Sequence, residues 1–202
     1  MVPLDLPQLP GLGPWPERSD AAANRARILC AARRLLREQG LDGASIDHIA
    51  AEAGVGKGTV FRRFGDRAGL TTALLDDDMR EFQDAFLCGP PPLGPGAPAA
   101  QRLEAFVRSL LALLDRDLEI ALAAERAAPA TAGAVAGALA LHVRILVTAI
   151  DPRLDGAVVA ELLLGALAPA VIARLRARGV DLSAQQVAAC ALLRGLTCAR
   201  RS

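Results

Sequence analysis

A cluster of cationic and hydroxyl side chains lies between residues 57 and 63 of this 202-residue chain. Lys57, Arg62 and Arg63 carry positive charge, and Thr59 carries a hydroxyl group. Cations of this kind contact phosphate oxygens and the acceptor edge of guanine, while hydroxyl groups donate to phosphate. The residue types and their spacing therefore predict binding to nucleic acid.

Two short helices joined by a tight turn must position this cluster. The first has an apolar face at the spacing i, i+3, i+4 and i+7, formed by Ile46, Ile49, Ala50 and Ala53. Ser45 precedes it as an N-cap, and Gly54 ends it where a left-handed backbone is needed. In the second helix, Val60 and Phe64 share one side, so the polar residues point elsewhere. Residues 45–64 therefore predict a helix-turn-helix whose second, recognition helix enters the major groove of DNA.

The recognition helix offers several kinds of contact. Lys57, at its start, is placed either to read a guanine or to contact a phosphate. Thr59 and Ser45 offer hydroxyls to phosphate, or cap helices, and Ser45 can do both. Gly58 allows the backbone to approach DNA closely. For Phe61, a thymine methyl contact is open, although packing or a sugar contact is favoured.

A further cation, Arg67, begins the next predicted helix. The positive end of the helix dipole is unfavourable for a cation, so this position makes sense if a phosphate lies nearby. The candidate DNA-binding residues are thus Ser45, Lys57, Gly58, Thr59, Phe61, Arg62, Arg63 and Arg67.

The distribution of charge agrees with this location. Residues 18–70 hold 10 Arg and Lys against 6 Asp and Glu, whereas residues 71–202 hold 13 against 14. The overall net charge of +1 therefore hides a basic excess around the predicted helix-turn-helix. A surplus of this size suits a protein that grips a few phosphates.

Other classes of protein find little support in the sequence. It has no Ser-His-Asp set, glycine-rich phosphate loop or metal-ligand spacing, so we expect no enzyme, cofactor or metal. The four cysteines, Cys30, Cys88, Cys190 and Cys198, lack the C-x-x-C spacing of a zinc site, and a disulfide framework is not expected. Apolar runs are broken before 18 residues, and the first 16 residues do not resemble a secretory signal. A cytoplasmic protein without a membrane span is expected.

The rest of the chain predicts an all-α fold of about nine helices. Hydrophobic residues make up 52% of the chain and aromatic residues only 3%, which indicates a core of Ala and Leu. Besides the helix-turn-helix, the predicted helices cover 21–39, 67–87, 99–115, 117–127, 130–150, 155–178 and 184–199. We expect Ser19 or Asp20 to cap the first helix, Asp66 the 67–87 helix, and Ser183 to open a capping box. Pro169 should kink or split its helix.

Residues 25–75 resemble the tetracycline-repressor (TetR) family of bacterial regulators. The resemblance rests on Arg27-Ile-Leu-x-Ala-Ala-x-x-Leu-Leu-x-Glu-x-Gly40, on Ser45-Ile-x-x-Ile-Ala-x-x-Ala-Gly-Val-x-x-Gly-Thr-Val-Phe-x-x-Phe64, and on Asp66-Arg-x-x-Leu70. Three positions depart from the family pattern. Gly56 replaces a capping Ser, Phe61 replaces a Tyr whose hydroxyl holds a phosphate, and Arg67 replaces a Lys.

Residues 1–18 hold five prolines and little periodicity, so we expect a disordered or loosely docked arm there. The resemblance implies a DNA-binding domain at 19–66 and an effector-binding and dimerisation domain at 67–202. It implies a homodimer on a palindromic double-stranded operator, and a small-molecule effector that releases the DNA. Because the chain has no tyrosine and one tryptophan, we expect a pocket lined by aliphatic residues and a hydrophobic effector. The candidate pocket residues are Phe82, Phe86, Phe106, Leu110, Leu141, His142 and Ile145, with Glu125 and Arg144 as further polar anchors. The candidate interface residues are Leu162, Leu163, Ala166, Ala170, Leu192, Leu193 and Leu196.

Several alternatives remain open at the level of sequence. The apolar surface of the last helices could be ordinary intrachain core. Control by oxidation through Cys190 or Cys198, or by a protein partner, is an alternative to a small effector, although buried inert thiols are favoured. Activation of transcription is an alternative to repression, because both begin with operator binding.

Overall fold

The computed structural model describes residues 16–127 and 133–198, and within them it contains ten α-helices and no strand. The predicted all-α class is confirmed. The helices are α1 (Pro16–Gly43), α2 (Ile46–Glu52), α3 (Lys57–Phe64), α4 (Arg67–Cys88), α5 (Ala99–Arg116), α6 (Leu118–Ala127), α7 (Gly133–Ile150), α8 (Gly156–Ala166), α9 (Pro169–Ala177) and α10 (Leu182–Cys198).

The chain divides into two compact units, Met1–Arg63 and Phe64–Ser202. In the first unit, α1 begins at Pro16, five residues earlier than predicted, so Ser19 and Asp20 lie inside the helix and do not cap it. Proline suits a first helical turn because the amide hydrogen it lacks would have no intrahelical partner. Residues 16–18 of the predicted disordered arm are therefore helical, and residues 1–15 lie outside the described part of the chain.

The long first helix bends where its glycine was expected to end it. Gly40 has a φ of 70°, in the left-handed region, and helical backbone resumes briefly up to Gly43. Ile28, Ala32, Leu35 and Leu36 follow helical spacing on one side of α1, and all four are buried.

In the second unit, the core is built mainly from leucine and from three phenylalanines. Phe82 and Phe86 come from α4 and Phe106 from α5, and their ring centroids lie 5.1–5.4 Å apart. Tilted and edge-on pairs at such separations are the geometries that aromatic rings prefer. Helix α5 lies at the centre of the unit. Its buried residues are Leu103, Phe106, Val107, Leu110, Leu111 and Leu114.

In the second unit, the break at Pro169 confirms the sequence prediction, whereas the cap of α10 differs from it. Pro169 splits the expected 155–178 helix into α8 and α9, which are bent by 43°. Ser183 does not cap α10, because Asp181 precedes it in that role. The Ala184 amide donates to Asp181 Oδ1 at 2.8 Å. A carboxylate is an equally good acceptor for an N-terminal amide.

Within the described residues, no helix taken singly has both the length and the apolar character needed to cross a bilayer. Among the helices of residues 16–127 and 133–198, the bent pair α8–α9 meets that test when its two helices are counted together.

Candidate DNA-binding surface

The helix-turn-helix has the local geometry that its sequence predicts. The His48 amide donates to Ser45 Oγ at 3.2 Å, which confirms Ser45 as the N-cap of α2. Gly54 follows α2 with a φ of 63°, and the next amide, that of Val55, donates to the Ala50 carbonyl at 3.0 Å. These bonds satisfy the end of α2 and turn the chain into α3. Ile49, Ala50 and Ala53 are buried, as their spacing predicts, and Ile46 is half-buried.

The recognition helix α3 separates its side chains sharply. Val60 is fully buried, whereas Phe61 is 63% exposed and therefore not packed into its own chain. Arg62 and Arg63 are exposed, and neither makes an ion pair within the described residues. Gly58 is open on its side-chain side. This face presents two cations and an aromatic ring to solvent, an arrangement suited to phosphates, sugars and thymine methyl groups.

Lys57 forms an ion pair with a carboxylate of its own chain. Its Nζ lies 2.8 Å from Asp47 Oδ1 and 3.0 Å from Asp47 Oδ2, so both carboxylate oxygens meet the ammonium. Asp47 lies in the first turn of α2, and Lys57 is the first residue of α3. The two residues are ten apart in sequence, and the turn between α2 and α3 brings them together.

The remaining candidate DNA contacts lie at helix ends. Thr59 is half-buried, and its amide donates to the Gly56 carbonyl at 2.9 Å, so the start of α3 forms without a capping side chain. Arg67 belongs to the second unit, is half-buried and is engaged within the chain. Asp66 caps α4 as predicted, with the Gly69 amide donating to its Oδ1 at 2.8 Å.

The predicted pocket residues of the second unit divide into two groups. Phe82, Phe86, Phe106, Leu110 and His142 are buried together, whereas Leu141 and Ile145 are exposed. The seven therefore do not line one cavity, because residues 141 and 145 occupy the outer side of α7. The proposed anchors Glu125 and Arg144 are also exposed.

His142 is a polar residue inside the aromatic cluster. Its ring centroid lies 4.2 Å from that of Phe86 and 5.3 Å from that of Phe106, and only 6% of the residue is exposed. Its Nε2 has no hydrogen-bond partner in the described structure. Burial, and next the positive charge of Arg102, lower the pKa of His142 to about 4. The imidazole is therefore neutral at physiological pH.

The exposed side of α7 contributes to two open grooves in the second unit. One, of about 510 Å³, runs between α7 and α8 and is lined by Leu141, Arg144, Val158, Glu161 and Leu162, among others. A neighbouring groove of about 700 Å³ includes Ile145 and Asp155. Both volumes fall in the range of small-molecule sites, although neither groove is enclosed.

The predicted interface residues are partly exposed. Leu162 of α8 and Leu192 of α10 are 70% and 72% exposed, and Ala166 and Ala170 are exposed as well. Leu163 is half-buried. Leu193 instead packs inside its own chain, because it lies on the side of α10 that faces the core. The Leu196 side chain lies outside the described residues.

Two exposed apolar residues were missed in the sequence. Val158 lies on α8 and Val187 on α10, and both are more than half exposed. Val187 falls at the i, i+4, i+8 spacing with the exposed Ala191 and Gly195. That periodicity was the available signal, and it was hidden because small residues weigh little in a hydrophobic pattern.

The three cysteines whose side chains are described are free thiols. Cys190 is fully buried, and burial raises the pKa of its thiol. Cys30 and Cys88 are exposed, and the Cys198 side chain lies outside the described residues. A buried thiol with a raised pKa is a poor nucleophile, which agrees with the expected inert role.

The fold and this surface define a helical protein with an N-terminal helix-turn-helix followed by a separate helical unit. Residues 28–74 match the family model of the bacterial regulatory proteins of the tetR family. The chain thus carries a TetR-family N-terminal domain.

A bacterial transcriptional regulator is similar to this chain over the same domain. An HTH-type transcriptional regulator of Staphylococcus aureus is 38% identical over 69 residues, which cover 34% of this chain. The match spans only 37% of that regulator's own length.

Solved structures resemble more of the chain. A TetR-family transcriptional regulator from Pectobacterium atrosepticum has a TM-score of 0.66 at 22% identity, covering 89% of this chain and 94% of that one. The regulator FadR from Bacillus subtilis, in complex with stearoyl-CoA, has a TM-score of 0.61 at 18% identity, with 83% and 96% covered. The second helical unit therefore shares its fold with these proteins, as the helix-turn-helix does.

Proposed function

We propose that the chain is a DNA-binding transcriptional regulator that represses its target from a palindromic operator. The observation that carries this proposal is the exposed face of α3. Arg62, Arg63 and Phe61 point to solvent while Val60 anchors the helix from the opposite side. A rigid helix with one buried side and a cationic open side is the arrangement that reads a major groove.

The regulator acts as a homodimer in this proposal. Two recognition helices must reach half-sites about 34–36 Å apart on one face of the duplex. Leu162 and Leu192 are large apolar side chains left in solvent on α8 and α10, and the same two helices also expose Val158 and Val187. Exposed apolar surface of this kind is available to a partner. An interface between two copies through these helices would bury them.

A small hydrophobic effector is proposed to release the DNA. The core of the second unit is built from apolar side chains, and the groove between α7 and α8 is lined mainly by aliphatic residues. A protein of the same fold, FadR from Bacillus subtilis, binds stearoyl-CoA. Thermal-shift screening with acyl-CoA thioesters of increasing chain length tests this part of the proposal. Absence of any stabilising compound would count against it.

DNA selection from a random-sequence library with the full chain tests operator recognition. We expect enrichment of a palindrome, and we expect both Arg62→Ala and Arg63→Ala to weaken binding in gel-shift titrations. Loss of a phosphate contact should lower the salt slope by about 1 for each domain, because one fewer counterion is released. Arg174→Ala, an exposed arginine on α9, is the matched control and should bind normally. Unchanged binding by both α3 variants would contradict the assignment.

A further inference from the structure

We propose that Asp47 is a specificity-determining residue that holds Lys57 away from phosphates on DNA of the wrong sequence. The inference rests on the proposed DNA-binding function. It concerns a residue that the sequence analysis did not include among the DNA contacts.

The structural basis is the ion pair at the start of the recognition helix. The Lys57 ammonium lies 2.8 and 3.0 Å from the two oxygens of the Asp47 carboxylate. The side chains are 64% and 62% exposed, so the pair is open to solvent and to any DNA that approaches. An exposed pair is weak, and a strong competitor can open it.

Whether the ion pair opens depends on which DNA group competes with Asp47 for the Lys57 ammonium. A single phosphate offers an ammonium much the same attraction as a carboxylate, so on non-operator DNA the pair gains little by opening. A guanine at the matching position of the operator offers two acceptors, O6 and N7. The other contacts between α3 and the operator keep this guanine beside Lys57. Lys57 therefore leaves Asp47 where the base is correct and stays paired elsewhere.

Asp47 also places a negative charge in the first turn of α2, beside the start of the recognition helix. Ser45, two residues before it, is a candidate phosphate contact at the same end of α2. With Lys57 paired, this end of the surface contributes no net cation to sequence-independent binding. Arg62 and Arg63 are left to supply the general grip from the other end of α3.

The experiment compares Asp47→Asn with the unmodified chain on two duplexes. One duplex is the sequence enriched from the random library, and the other is a shuffled version of the same length and composition. We expect Asp47→Asn to bind the shuffled duplex more tightly, with a salt slope steeper by about 0.9 for each domain, because one cation is freed to displace counterions. Over a fourfold rise in salt, the variant should lose about threefold more affinity for each domain. The ratio of selected to shuffled affinity should fall.

Three further variants separate this role from a structural one. Asp47→Glu keeps the charge and should restore the original slope and ratio. In a Lys57→Ala background, Asp47→Asn should no longer steepen the slope, since there is no ammonium to release. Glu52→Gln removes a carboxylate from the other end of α2, where it pairs with Arg34, and should leave the slope unchanged.

The outcomes distinguish this inference from the proposed function. If the unmodified chain enriches no sequence from the random library, the proposed function fails. If it selects and binds a palindrome but Asp47→Asn leaves both the slope and the affinity ratio unchanged, only the role of Asp47 is overturned. An equal effect of Asp47→Asn with and without Lys57 overturns it as well, because the effect would then be general electrostatics.

Discussion

His142 is a titratable ring placed where charge is costly. It packs against both Phe86 and Phe106, and its pKa is lowered from the ordinary 6.5 to about 4. Because the unfolded chain binds this proton more tightly, stability is full above pH 6.5 and falls as the pH drops toward 4. Between pH 7 and 5 the expected loss is about 2 kcal/mol, from 1.36 kcal/mol for each pKa unit.

Urea unfolding followed at pH 7, 6 and 5 measures this loss above the range in which most carboxylates titrate. His142→Leu removes the titrating group and should flatten the dependence, even if it changes the stability at pH 7. His48→Gln replaces the exposed histidine of α2 and should leave the dependence as it is. A slope that survives in His142→Leu would mean that another group is responsible.

At the residue scale, the sequence predicts those structural roles that depend only on residues close by in the chain. Ser45, Gly54 and Val60 behave as expected because capping, a left-handed turn and helical periodicity involve only a few consecutive residues. The Lys57–Asp47 pair could not be predicted in this way, since it forms across the turn. The burial of Leu193 beside the exposed Leu192 depends on which side of α10 meets the core, and this is a tertiary property.

At the scale of a single element, α2 depends on its cap. It has seven residues, so it has too few internal bonds to be stable without help from its ends. The bond from the His48 amide to Ser45 Oγ satisfies one of the free amides of its first turn. Ser45→Ala should therefore destabilise the first unit by about 1 kcal/mol.

Hydrogen exchange at the His48 amide reports this change directly, with loss of protection expected in Ser45→Ala. Ser45→Asn retains a capping oxygen and should keep the protection. If both variants bind DNA less tightly while Ser45→Asn remains protected, the Ser45 hydroxyl also contacts DNA. Equal protection in all three proteins would show that the cap contributes nothing.

Helix boundaries were predictable where one residue decides them and not where two compete. Asp66 has no rival at the start of α4, and Pro169 must interrupt its helix because it lacks an amide hydrogen. Asp181 and Ser183 are both good caps two residues apart, and the pattern of Ser183 followed by Gln186 favoured the wrong one. The start of α1 is not predictable from local pattern, because Pro16 lies in a proline-rich stretch, although proline suits a first helical turn.

At the scale of the whole molecule, the proposed dimer links the second unit to DNA binding. A single helix-turn-helix holds one half-site, and joining two raises the effective concentration of the second domain near its own half-site. Affinity for a palindrome should therefore depend on residues of α8 and α10 that never contact DNA.

Leu162→Glu and Leu192→Glu test this dependence. Each puts a charge on an apolar surface that the dimer would bury, where an unpaired charge is costly, so light scattering should show a shift toward monomer. In the isolated chain both side chains already lie mostly in solvent, so the fold should survive. Leu87→Glu, at a half-exposed leucine of α4, is the matched control and should leave the mass unchanged.

The same variants separate dimerisation from DNA recognition. A monomeric Leu162→Glu protein keeps the cationic face of α3 intact, so its affinity for a duplex with one half-site should equal that of the unmodified chain. Its affinity for the full palindrome should drop toward the half-site value, because the second domain now binds as an independent molecule. An unmodified chain that scatters as a monomer, or a monomeric variant that binds the palindrome as tightly as before, would contradict the dimer.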